Sequence, residues 1–343
     1  MPRPARNRTS RRVRWLAALA ALSLGVTTVA ATQPAEAKPD RRDSAPVSRY
    51  VALGDSYAAG EGLAPYEDGT DNPPTNTCHR SRTQSYPELL EMSSFSPFQN
   101  LTSVACSGAA TAALFADVRD RGDEPAQRVA VTPDTTTVTL SIGGNDAGFA
   151  RVLAGCIYSP SPDVQSSVDG QAGCKKLFDP LVSQQIAALS GRPGSPKVEG
   201  TVPIPDIIKA IHAQAPNATI LVSGYPKLFG AKTTNKYGCQ VGLLPIYIKG
   251  SDARWIRHKA SDLNDAIRYG VRKTRHHGID VHYVNVAKKF VGHNVCDRRR
   301  PWINSVVFGP GPSISPASFH PTARGQFAYA FAFAEAGLRD HRS

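Results

Sequence analysis

Five short apolar runs, each rich in β-branched residues, punctuate the chain: Tyr50–Leu53, Leu101–Val104, Thr136–Ile142, Thr219–Ser223 and Val281–Val286. Within Val138–Ile142 and Ile220–Val222 the apolar character is uninterrupted, the pattern of strands buried on both faces. Helical periodicity lies between and after them. Pro203–Gln214 carries Ile204, Ile207, Ile208 and Ile211 at helical spacing. Asp252–His276 reads as a long polar helix, and Thr322–Leu338 as a last one after the final strand. Strands alternating with helices imply parallel pairing and right-handed crossovers. The expected fold is α/β, a three-layer α/β/α sandwich around a five-stranded parallel sheet.

The N-terminus departs from this pattern. Six arginines between Arg3 and Arg14 precede an apolar run, Trp15–Ala31, and Ala35-Glu36-Ala37 follows as a small-residue site. That combination predicts a cleaved secretory signal over residues 1–37. The run is shorter than a ~20-residue membrane span and is diluted by Ser23, Gly25, Thr27 and Thr28. Residues 38–47 then form a short linker, and residues 48–343 a single domain. Ser159–Asp163 and Ser190–Gly200, rich in Ser, Pro and Gly, read as loops inside it.

Charge changes the picture little. The formal net charge is +12, and loss of six arginines and Glu36 with the signal leaves +7. A basic exported chain suits transient contact with an anionic lipid or cell-wall surface. Its cations are scattered, and nothing resembles a nucleic-acid module. Six cysteines, all after the signal, favour disulfides in an exported protein. Fifteen pairings are open; the simplest is sequential, Cys78–Cys106, Cys156–Cys174 and Cys239–Cys296. The absence of C-x-x-C and H-E-x-x-H leaves a metal site without support.

Candidate chemistry sits at the strand ends. The first strand ends in Gly54-Asp55-Ser56, the second in Cys106-Ser107-Gly108, the third in "SIGGND", Ser141–Asp146. In a parallel sheet of flavodoxin-like strand order these ends share one edge, where ligands bind. Taken singly, Asp55 and Ser56 are ordinary helix caps, Gly143-Gly144 an ordinary turn and Asn145 a helix cap. Together they place a hydroxyl nucleophile, Ser56, beside hydrogen-bond donors suited to an oxyanion: the Gly108 amide, the Asn145 side chain and the Ser56 amide.

A base is still needed, and nine histidines compete for the role. His276, His277 and His282 read as surface, His212 as a helix-end cation, and His293 belongs to the loop before Cys296. His79, His258 and His341 have no evident context. His320 stands in "ASFHPTARG" between the last strand and the last helix, with Pro321 starting that helix. It is the expected general base.

These blocks resemble the SGNH/GDSL hydrolase family, in its secreted actinobacterial lipase and esterase branch. "GDSYAAGEG" is similar to the first block of the family, Gly108 in "ACSGA" to the second, Asn145 in "GGND" to the third and His320 in "FHP" to the fifth. The resemblance spans roughly Tyr50–Ala330. It implies Ser56 as nucleophile, Gly108 and Asn145 as oxyanion donors, His320 as base and no cofactor. The sequential disulfides and "GHNVC…PWIN", Gly292–Asn304, also resemble that branch. One departure stands out: the family usually has Asp three residues before the histidine, and this chain has Ala317. The expectation is a Ser56–His320 dyad supported by the Ala317 backbone carbonyl, with Asp297 as the alternative carboxylate.

The resemblance implies a secreted, monomeric ester hydrolase acting on carboxylic esters, lipid esters first. Two other readings remain: a polysaccharide deacetylase using the same residues, and a noncatalytic surface-binding protein that has kept the fold. The complete set of four residues argues against the last. The segments Pro65–Thr77 and Leu153–Pro205 are expected as loops that shape an acyl pocket.

Overall fold

The computed structural model describes residues 47–93, 97–117, 124–157, 174–231, 239–240, 247–297, 300–309 and 313–340. The expected signal segment lies outside them. Pro46–Ser343 forms one compact unit.

Five strands make the central sheet: β1 (Tyr50–Gly54), β2 (Leu101–Ser103), β3 (Thr137–Ser141), β4 (Thr219–Ser223) and β7 (Val281–Val284). Their order is β2-β1-β3-β4-β7, and every pairing is parallel. This is the flavodoxin-like order, with its switch point between β1 and β3. A separate antiparallel pair joins β5 (Cys239–Gln240) to β6 (Tyr247–Ile248).

The central strands β1 and β3 are buried at every position, whereas the edge strands β2 and β7 are only partly so. That burial explains the uninterrupted apolar runs. One face of the sheet carries α4 (Cys174–Ser190), α5 (Ile204–Gln214) and α6 (Gly250–Arg275), packed on one another. The other carries α2 (Tyr86–Met92) and α7 (Ala323–Asp340). In α5 the four isoleucines lie on the inner face and none is more than 1% exposed. Each contributes about 1.5–3 kcal/mol by leaving water.

Two remaining helices, α1 (Ser56–Ala59) and α3 (Phe149–Ile157), frame the carboxyl edge of the sheet. The segment 153–205 is therefore not the loop the sequence suggests: α3 and α4 occupy much of it. Its composition hides them, because Pro180 sits inside α4 and the piece between the two helices is rich in Ser, Pro and Gly. Ser159–Asp163 falls outside the described residues. Cys78–Cys106 and Cys156–Cys174 are bonded as expected. Cys296 is also disulfide-bonded, and the side chain of its expected partner, Cys239, lies outside the described residues.

Candidate active site

The turn after β1 has a tight geometry that accounts for Gly54-Asp55-Ser56. Gly54 has φ +143°, and a Cβ there would come within 2.4 Å of the Ser141 carbonyl oxygen on β3. Only glycine fits that crossing. The Gln127 side chain clamps Gly54 at both ends, accepting from its N–H and donating to its carbonyl, each at 2.8 Å. Asp55 then caps α1, its carboxylate accepting from the Tyr57 N–H at 3.0 Å. Asp55 takes the capping role, which leaves Ser56, first residue of α1, with its hydroxyl free for another partner. That partner is His320: Ser56 Oγ lies 2.7 Å from His320 Nε2.

His320 is held in a loop zipped to a neighbouring segment. Its carbonyl accepts from the Asn304 N–H at 2.9 Å, and the Ser318 hydroxyl accepts from the Val307 N–H at 2.8 Å. From the other side the Tyr57 hydroxyl donates to the Phe319 carbonyl at 2.9 Å, with the Tyr57 ring 5.3 Å from the imidazole. His320 Nδ1 lies 3.1 Å from the Ser318 carbonyl oxygen. Donation of Nδ1–H to that oxygen leaves the Nε2 lone pair facing the serine hydroxyl.

The carbonyl beside Nδ1 is thus that of Ser318, not the expected one of Ala317. Ala317 O instead accepts from Asn304 Nδ2 at 3.1 Å and from the His320 backbone N–H at 3.2 Å. The cause is local: Phe319 adopts φ +63°, a left-handed turn that folds the Ser318 carbonyl back toward the ring. Asp297 accepts from the Asn294 N–H at 2.8 Å.

The other two strand ends reach the same cavity. Gly108 has φ +78°. Asn145 Nδ2 donates to the Ala109 carbonyl at 2.9 Å, which uses one of its two hydrogens. Asp146 accepts from the Thr111 N–H with both oxygens, at 3.0 and 3.1 Å, so the "GGND" turn is tied to the chain just past Gly108. The Gly144 N–H donates to the Tyr225 hydroxyl at 3.0 Å, and that hydroxyl donates in turn to Asp55. Ser56, Gly108, Asn145 and His320 all line one cavity of about 900 Å³, together with apolar side chains such as Phe149, Leu153, Leu228, Val306 and Ile314.

Burial shapes the titration of the site. Desolvation pushes the His320 imidazole below its ordinary value, opposed by the charge of Glu61 and by the Pro316 and Ser318 carbonyls. Desolvation also pushes the Asp55 carboxyl up to about 7, against its hydrogen bonds from Tyr225 and the Tyr57 N–H.

Sequence reasoning gives no role to Gln127, Tyr225, Glu61 or His79. Tyr225 lies two residues past β4, at the same sheet edge as the motif turns, and that position was the available signal. Among the described residues no group of three or more His, Cys, Asp or Glu side chains is placed to hold a metal ion.

With this fold and site in view, comparison with known proteins identifies the class. The sequence profile of the GDSL-like Lipase/Acylhydrolase family matches residues 52–327. The chain belongs to that family. A lipase of Streptomyces rimosus is 31% identical over 281 residues, 81% of this chain and 82% of the relative. Lipase 2 of Streptomyces coelicolor is 31% identical over 330 residues, 95% of each chain. Among solved structures, the extracellular lipase of S. rimosus and phospholipase A1 of Streptomyces albidoflavus each align with TM-score 0.58 and 27% identity. Each alignment covers 84% of this chain and 99% of the other. The protein is a carboxylic ester hydrolase of the lipase type.

Proposed function

We propose that the protein is a secreted lipid-ester hydrolase in which Ser56 is the nucleophile, His320 the general base, and an acyl-enzyme the intermediate. The observation that carries this reading is the 2.7 Å separation of Ser56 Oγ and His320 Nε2 beside Gly108 and Asn145. His320 takes the hydroxyl proton as Oγ bonds to the ester carbonyl carbon. The Ser56 and Gly108 amides and the second Asn145 N–H receive the oxyanion, each donor contributing about 3 kcal/mol. Collapse breaks the bond to the alkoxy oxygen, which leaves with the proton from His320. Water, deprotonated by the same imidazole, then releases the carboxylic acid and restores the serine.

Support for lipid esters comes from the apolar cavity wall and from the relatives named lipase and phospholipase A1. A cavity of about 900 Å³ is at the large end of the ~300–1,000 Å³ span of small-molecule sites, with room for an acyl chain. Contact with an anionic lipid surface fits the basic chain and the exposed Phe327 and Phe331 of α7. Export is supported by the signal pattern over residues 1–37, by the disulfides and by an extracellular relative. No helix among the described residues is long and apolar enough to cross a membrane.

The test is hydrolysis of p-nitrophenyl esters from acetate to palmitate by the exported protein and by Ser56→Ala. Turnover of medium and long chains, abolished in the variant, is the expected result. Activity confined to acetate would move the reading to a deacetylase. Activity surviving in Ser56→Ala would remove the nucleophile assignment.

A further inference from the structure

One charged side chain of the cavity has no part in the chemistry above. Glu61 follows α1 directly, its N–H donating to the Ser56 carbonyl at 3.1 Å. Its residue is only 3% exposed. Its carboxylate lies 2.8 Å from His79 Nδ1, and Ser107 lines the cavity beside it. His79 is itself fixed, stacked on Tyr66 with ring centres 4.8 Å apart, and its Nε2 is 3.4 Å from Asp71. Glu61, His79 and Ser107 line the cavity with Ser56 and His320. Gly62, the next residue, packs on Ala317 in the His320 loop: a Cβ on Gly62 would lie 2.7 Å from the Ala317 Cβ.

Charge completes the argument. During acyl transfer His320 becomes an imidazolium in a partly buried site, and the groups at its Nδ1 are carbonyl dipoles without net charge. The groups facing the imidazole are Ser56 and Tyr57 on α1, with Tyr225 behind Tyr57. The charged side chains around the cavity are Asp55, Glu61, Asp71 and His79. Asp55 is committed to Tyr225 and the Tyr57 N–H, and burial resists its ionisation. Asp71 is 54% exposed and screened by water. Glu61 remains: burial opposes its charge, but the hydrogen bond from His79 and the nearby imidazoles outweigh this and hold it below the usual carboxylate range.

We propose that Glu61 is a positioning residue of the ester hydrolase described above, stabilising the His320 imidazolium from across the cavity in place of the carboxylate absent at position 317. His79 holds Glu61 in place and, when protonated, cancels part of its field.

The experiment is the pH profile of kcat/KM for wild type, Glu61→Gln, Glu61→Asp and His79→Gln, with melting temperatures in parallel. Without the Glu61 charge His320 deprotonates more readily, so the acidic limb should move down by roughly half to one pH unit. The limiting rate should fall by roughly tenfold. Glu61→Asp should restore part of both. His79→Gln, which leaves the carboxylate unneutralised, should move the limb up, and it serves as the test if Glu61→Gln does not fold. Unmoved limbs in the variants that fold would overturn the proposal, even if their rates fell with their melting temperatures. The proposal rests on the Ser56–His320 reading, and Ser56→Ala assayed alongside keeps the two apart: if it is inactive while the limbs stay fixed, only the role of Glu61 is lost.

Discussion

Gly62 and Ala317 are in contact across 255 positions of sequence, with φ +86° at Gly62 and no room for a Cβ between them. Ala317 stands at the position where the family pattern calls for aspartate. A small residue on each side lets the turn after α1 lie directly against the loop that carries His320, so this contact adds to the hydrogen bonds that hold Ser56 and His320 together.

Gly62→Ala should therefore disturb catalysis more than folding. The added methyl must push the Ala317 loop away and strain a left-handed backbone. A displacement near 1 Å at His320 would cost on the order of 100-fold in kcat. Steady-state kinetics beside a thermal melt checks this; a variant with wild-type kcat would show that the loop yields without moving the base.

Asn145→Ala should lower kcat by roughly 100- to 1,000-fold while KM changes little, because a donor in the proposed role acts on charge that forms only in the transition state. The bond from Asn145 to the Ala109 carbonyl is also lost, at about 1 kcal/mol of stability. A matched rise in KM with kcat intact would instead assign Asn145 to substrate binding.

The acidic limb of kcat/KM should fall below the ~6.5 of an ordinary imidazole. As the proposed base, His320 must be neutral to accept the serine proton, and burial lowers its value. Activity is then present above the lowered value and lost as pH drops through it. Rates measured from pH 4 to 8 under conditions where the protein stays folded give the limb directly; a midpoint above 6.5 would contradict the burial argument.

Asp55 predicts a separate effect on stability. Its folded carboxyl is raised from 3.8 to about 7, so folding takes up a proton between those limits. The stability carried by the neutral form is complete below about pH 4 and is lost as pH rises through about 7. Asp55→Asn can still accept the Tyr57 N–H, and it removes that loss. Relative to wild type, the variant should gain on the order of 2 kcal/mol between pH 5 and pH 8. Urea denaturation at the two pH values measures the difference, and parallel curves for the two proteins would refute it.

The sheet and the four motif residues were legible because both are written locally. Runs such as Ile220–Val222 are apolar since the strand is covered on both faces, and Ser56, Gly108 and Asn145 follow within five residues of a strand end. Supporting contacts leave no such trace. Tyr225 meets Asp55 from 170 positions away, and Gln127 meets Gly54 from 73; only packing brings them together. The Ser318 carbonyl was missed for a different reason. Counting back three residues from His320 assumes a regular turn, and the left-handed Phe319 shifts the carbonyl that meets the ring by one.

Ser56 and His320 are 264 residues apart, and between them the chain lays down all of the sheet after β1. In the proposed mechanism the oxyanion donors are made early and the base almost last. On that reading, a growing or clipped chain that lacks the final loop holds Ser56 without its base. Completion of the chain would then be the step that brings the proposed pair together.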